Sequence, residues 1–109
     1  MKKVNYDDIS GIAAREGVIR KVFSGKNSML VLNEIQPFAQ PAIHQHPHEQ
    51  ITYILAGQCN FIMGDETIPM GPGDVVLIPP DTPHTLRPVG EKTLLNFDVF
   101  SPIREDYLR

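Results

Sequence analysis

Hydrophobic positions in this chain come in short runs, several of them alternating with polar ones, and each run is cut off by proline, glycine or a polar turn. Period-two runs between such breakers are the pattern of half-buried strands. Strands are predicted over residues 18–23 (VIRKVF), 28–35 (SMLVLNEI), 51–55 (ITYIL), 59–63 (CNFIM), 75–78 (VVLI), 84–87 (HTLR) and 94–100 (LLNFDVF). Gly25 follows the first, and Pro37 and Pro41 follow the second. Residues 56–58 and 64–66 read as turns, and residues 69–73 (PMGPG) as a tight connection. Residues 8–16 have room for one helical turn between Gly11 and Gly17, and the tail for a short helix after Pro102. No helical pattern long enough to link parallel strands lies between these runs, which excludes βαβ units. The expected class is all-β, a sandwich or a closed barrel.

Composition narrows this picture. A chain of 109 residues with ten prolines and eight glycines is one domain made of short elements. An N-terminal extension (1–17) and a C-terminal tail (101–109) flank the strand-rich part. Thirteen acidic residues against ten basic ones give a net charge of -3, so no phosphate-tracking surface and no nucleic-acid partner are expected. No apolar stretch approaches the roughly 18 residues of a membrane span. The single cysteine, Cys59, forms no intrachain disulfide, and no apolar run follows Lys2 and Lys3 as in a secretory signal. A cytoplasmic location is the expectation. Open edge strands on a small core point to a homodimer, with residues 18–23 as the contact strand.

Candidate chemistry concentrates in the histidines. His44, His46 and His48 fall within five residues, and His84 follows a proline-lined turn, IPPDTP. Pro41 and Pro47 exclude a helix there. In an extended chain His44 and His46 point to one side, and parity puts Gln50 on the same side. His84, at the start of a later strand, supplies a fourth ligand from across a barrel. The ligand set is then neutral: three imidazoles and one amide oxygen. One divalent ion per chain is expected, with zinc, nickel, manganese, iron and cobalt all compatible. Parity alone also admits His48, but Pro47 turns it toward a supporting or surface role. Glu49 becomes a ligand only if the strand slips by one residue. Cys59, with no base beside it in sequence, reads as a small buried hydrophobe.

Two spaced motifs carry a resemblance. His44-x-His46, three residues, Gln50, six residues and Gly57 resemble the first cupin motif; Gly73-Asp74, four residues, Pro79, four residues and His84 resemble the second. The fold implied is the cupin double-stranded β-helix, a jelly-roll β-barrel, spanning residues 1–109 as a single cupin domain. Gln50 stands where glutamate is commoner, and Pro88 where many cupins have asparagine. The final stretch, NFDVFSPIREDYL, is similar to the C-terminus of the pectin-degradation cupins, which convert 4,5-unsaturated uronates toward the linear keto acid. That resemblance implies a metal site of three histidines and a glutamine, and functional Asp98, Phe100 and Arg104. Such a reaction needs a proton-carrying carboxyl, a wall against the sugar ring and a guanidinium for the substrate carboxylate. On the last strand Asp98 and Phe100 share a face with Asn96. Other readings of the same motifs are a different cupin enzyme, such as a dioxygenase or isomerase, and a non-catalytic small-molecule-binding cupin.

Overall fold

A computed structural model describes residues 1–108. Its strands are β1 (Ile12–Arg15), β2 (Val18–Ser24), β3 (Met29–Ile35), β4 (Glu49–Ala56), β5 (Gln58–Met63), β6 (Glu66–Met70), β7 (Val75–Ile78), β8 (His84–Val89) and β9 (Leu94–Ser101). They form two antiparallel sheets, of order β1-β2-β3-β9-β4-β7 and β6-β5-β8. The late strand β9 inserts between β3 and β4, and β8 returns to pair with β5. This is the expected jelly roll. Short 3-10 turns at Tyr6–Asp8 and Glu105–Leu108 are its helical elements among the described residues.

Alternation sets the inner surface. Along β4 the buried positions are Gln50, Thr52 and Ile54; along β9 they are Leu94, Asn96, Asp98 and Phe100. Register places Gln50 beside Phe100, Thr52 beside Asp98 and Ile54 beside Asn96. The apolar core lies between the sheets, where Val18, Ile35, Ile54 and Leu94 of one meet Cys59, Phe61 and Met70 of the other. A second cluster, Met29, Val31 and Phe100, is closed by Val22, Ile103 and Tyr107.

The motif glycines have structural reasons. Gly57 turns β4 into β5 at φ +83°, and a Cβ there would meet the Thr93 carbonyl oxygen at 2.9 Å. Gly73 turns at φ +93°. Next to it the Asp74 carboxylate accepts the Gly71 N–H at 2.8 Å, and the Asp74 carbonyl accepts the Ile54 N–H at 3.0 Å. These bonds fix where β7 meets β4.

Three expectations change. Residues 12–15 of the expected extension are a strand of the larger sheet, not a helical turn; the chain reverses at Gly17, φ +81°. Residues 66–70 pair with β5 as strand β6. Its positions 66–69 are all exposed, so no alternation marked it, and Pro69 is tolerated because β6 is an edge. Finally, β2 is paired on both sides, by β1 and β3. It therefore has no free edge for a second subunit.

Candidate metal centre

The histidines come together where the two sheets meet. His44 and His84 exchange backbone hydrogen bonds of 3.0 and 2.9 Å, which stitch the segment before β4 to the start of β8. The Asp81 N–H donates to the His46 carbonyl at 2.8 Å, anchoring the loop that delivers His84. The ligand atoms of His44, His46 and His84 all lie within 4.8 Å of one another. Three histidines are thus positioned to bind a metal ion.

All three rings are oriented in the same way. Nδ1 of His44 lies 3.0 Å from the Ala42 carbonyl oxygen, Nδ1 of His46 3.1 Å from that of His48, and Nδ1 of His84 2.7 Å from that of Thr82. Each Nδ1–H donates to a carbonyl two residues away, leaving Nε2 with its lone pair, which is how metal-ligating histidines are usually held. Burial is the largest cause holding all three below the ordinary imidazole pKa, and the Arg104 charge adds to it. Neutral imidazoles are the form a metal requires.

Gln50 lies beside the three histidines. Its Nε2 donates to Thr52 Oγ1 at 2.9 Å, and Thr52 Oγ1 donates to Asp98 Oδ1 at 2.7 Å. This chain fixes the amide so that its oxygen, Oε1, faces His46 Nε2 at 2.9 Å. A neutral His46 already donating through Nδ1 then sets one lone pair against another. An ion held between them would resolve the conflict. His84 Nε2 is buried and has no hydrogen-bond partner. The residues fit a divalent ion on these grounds. His48 contributes its carbonyl to His46, with its ring centroid 5.6 Å from that of His46. Glu49 is exposed on the opposite face of β4.

Asp98, Phe100, Thr52, Gln50, His44 and His84 line one cavity of about 80 Å³. At about 30 Å³ per water, that space holds roughly two or three waters. The Asp98 carboxylate accepts from Thr52 and Asn96 on Oδ1 and from Asn33 on Oδ2. Burial raises its pKa although these bonds act the other way. Phe100 is buried, its ring centroid 5.4 Å from that of His46. Arg104 lies behind it, 5.2 Å from the Phe100 centroid, and is held by Asp106 and Tyr107.

Arg20, Asn33, Thr52 and Tyr107 are among the residues at this cavity that were not singled out from the sequence. Parity with Gln50 marks Thr52, and parity with Val18 and Val22 marks Arg20. Asn33 becomes visible only once β3 pairs with β9, and nothing in the sequence marks Tyr107. Cys59 sits in the apolar core, its thiol pushed up to about 11 by burial.

A family model described as Cupin domain matches residues 31–100. The structure of KdgF from Halomonas sp. superposes with a TM-score of 0.84 at 28% identity, over 93% of this chain and 94% of that one. A RmlC-like cupin from Shewanella frigidimarina gives a TM-score of 0.87 at 22% identity, over 95% and 93%. The uncharacterized protein MJ1618 of Methanocaldococcus jannaschii is 28% identical over 99 residues, 84% of this chain and 79% of that protein.

Proposed function

The chain belongs to the cupin family, and we propose that it is a metal-dependent enzyme converting 4,5-unsaturated monouronates, of the kind released from pectin or alginate, toward the linear keto acid. The observation that carries this reading is that Asp98 and Phe100 line the same small cavity as His44, Gln50 and His84. The likeness to KdgF, at 28% identity over nearly the whole of both chains, supports it, as does the resemblance of residues 96–108 to the pectin-degradation cupins. Residues 1–109 act as one domain in this reading.

His44, His46 and His84, through Nε2, and Gln50, through Oε1, would hold one divalent ion, with zinc, nickel, manganese, iron or cobalt all suited. When bound, the ion supplies Lewis acidity toward the substrate's oxygens. Asp98 handles the proton. As the C1–O5 bond of the hemiacetal opens, the O1–H proton is lost, C1=O1 forms and O5 is protonated to an enol. The enol proton then leaves and C4 gains one, giving the C5 ketone. No atom is gained or lost overall. Burial holds the Asp98 carboxyl toward its protonated form, which suits it to give a proton and take one back. Phe100 forms a wall beside the reacting ring. Arg104 supports that wall from behind, 5.2 Å from the Phe100 centroid and held by Asp106 and Tyr107.

We place a homodimer contact on the outer face of the larger sheet. Leu30, Val99, Ile51 and Leu77 form one exposed apolar row across four strands, and Tyr53 and Val75 lie in the next. The total exposed area of 6740 Å² exceeds the about 6,100 Å² expected of a monomer of this mass.

The test is loss of the ultraviolet band of the C4–C5 double bond. Protein loaded in turn with each metal should beat spontaneous opening of galacturonate- or mannuronate-derived unsaturated monomers, and chelation should remove the advantage. No acceleration with any of the metals overturns the reading.

A further inference from the structure

A substrate carboxylate needs a guanidinium whose fork is free. The Arg104 guanidinium is already paired with a carboxylate, and three of its five N–H groups are engaged. Its Nε and Nη2 engage the Asp106 carboxylate at 3.4 and 2.9 Å, and its Nη1 donates to the Tyr107 hydroxyl at 2.7 Å. A second carboxylate could bind that fork only by displacing Asp106. Arg20 stands in contrast. On β2 it shares the inward parity of Val18 and Val22, and it lines the same cavity as Asp98 and His84. Its guanidinium carbon lies 3.7 Å from the Tyr107 ring centroid; that of Arg104 lies 3.9 Å from it. Two guanidiniums that close to one centroid clash on a single face, so Tyr107 is clamped between them.

Stacking uses the flat face of Arg20 and leaves its edge N–H groups outward, with the plane already fixed. Among the described residues it makes no ion pair. The nearby Asp98 carboxylate does not serve it, because Thr52, Asn96 and Asn33 occupy both oxygens. A half-buried cation without a counter-charge is costly unless an anion arrives. Arg15, also at the cavity, is exposed, where its charge is screened by water.

We propose that Arg20, and not Arg104, receives the carboxylate of the bound molecule; only the identity of that molecule as a uronate rests on the function proposed above. Arg104 then acts through Tyr107, holding the ring against which Arg20 is stacked.

The experiment compares binding of galacturonate, which lacks the reactive double bond, with binding of its uncharged methyl ester. Titration calorimetry is run on metal-loaded wild type, Arg20→Gln, Arg20→Lys and Arg104→Gln. The readout is the acid-to-ester affinity ratio within each protein, so a general loss of folding cancels. Wild type should prefer the acid. Arg20→Gln should lose about tenfold or more of that preference, the usual worth of a charge-assisted fork; Arg20→Lys should recover part of it, and Arg104→Gln should keep most of it. A ratio retained in Arg20→Gln, or lost equally in Arg104→Gln, overturns the assignment. If unsaturated uronates are never turned over while the Arg20-dependent ratio persists, the proposed reaction fails and the anion site stands. If they are turned over with an unchanged KM in Arg20→Gln, the reaction stands and the assignment fails.

Discussion

The two ends of the barrel interior are built on the same strands with opposite chemistry. At one end β4 and β9 contribute Ile54 and Leu94, both fully buried, which lie in one apolar cluster with Cys59 and Met70. Two residues further along the same inward rows, β4 turns to Thr52 and Gln50 and β9 to Asn96 and Asp98. The apolar end is a cluster of buried hydrophobic residues and serves cohesion. The polar end is a hydrogen-bonded chain from Asp98 through Thr52 and Gln50 to His46. Among the described residues, the buried side-chain atoms lacking a partner, His48 Nδ1, His84 Nε2 and Asn96 Oδ1, lie there. Unsatisfied buried polar atoms cost stability, so this concentration marks an end arranged for a ligand.

The sharpest way to break the contrast is to remove one ligand. His84→Ala should abolish metal binding nearly completely, because it removes the histidine that the smaller sheet delivers. His48→Ala should leave most of it, since the carbonyl that orients His46 survives. Elemental analysis checks both: full occupancy in His84→Ala, or full loss in His48→Ala, reverses the assignment.

Truncation at the apolar end should do the converse. Ile54→Ala is expected to lower unfolding free energy by about 2–5 kcal/mol while the metal-to-protein ratio of the folded fraction stays that of wild type. Denaturant melts with metal analysis decide this; a selective loss of metal would mean the two ends are not separable.

Cys59 probes the apolar end more gently. With its thiol near 11, the thiolate fraction at pH 8 is about a hundredfold below that of an ordinary cysteine. Native protein should resist alkylation at pH 8, and labelling should rise tenfold per pH unit until the pH nears 11. Rapid labelling at pH 8 without unfolding would place Cys59 outside the core.

Much of this was legible in the sequence. Seven strands stood out as short apolar runs between breakers, two of them, β4 and β9, because one face is buried and the other is not, and His44, His46 and Gln50 shared a side by simple parity. Strands β1 and β6 escaped because edge strands exposed on both faces carry no alternation. The partnership of His84 with His44 was readable only through motif spacing, because a cross-sheet bridge leaves no local pattern. Arg20 was passed over as one of several scattered basic residues. Its inward parity was present, but the ring it stacks on lies in the tail, 87 positions away in the numbering. Long-range contacts of that kind are set by topology, not by periodicity.

The contrast between the two ends is tested most directly by Asp98→Asn, measured twice on one preparation. The amide keeps the shape of the side chain and, through its one oxygen, can still accept from Thr52 and Asn96, while the bond from Asn33 is lost. Stripped of metal, the variant should stay folded with only a modest drop in melting temperature, the cost of about one hydrogen bond. Reloaded with metal, it should turn over the unsaturated monouronate about 10²–10⁴-fold more slowly. A variant that is grossly destabilised, yet reacts at the wild-type rate where it is folded, would contradict the account: Asp98 would then be there for stability, and the polar end would be a second core.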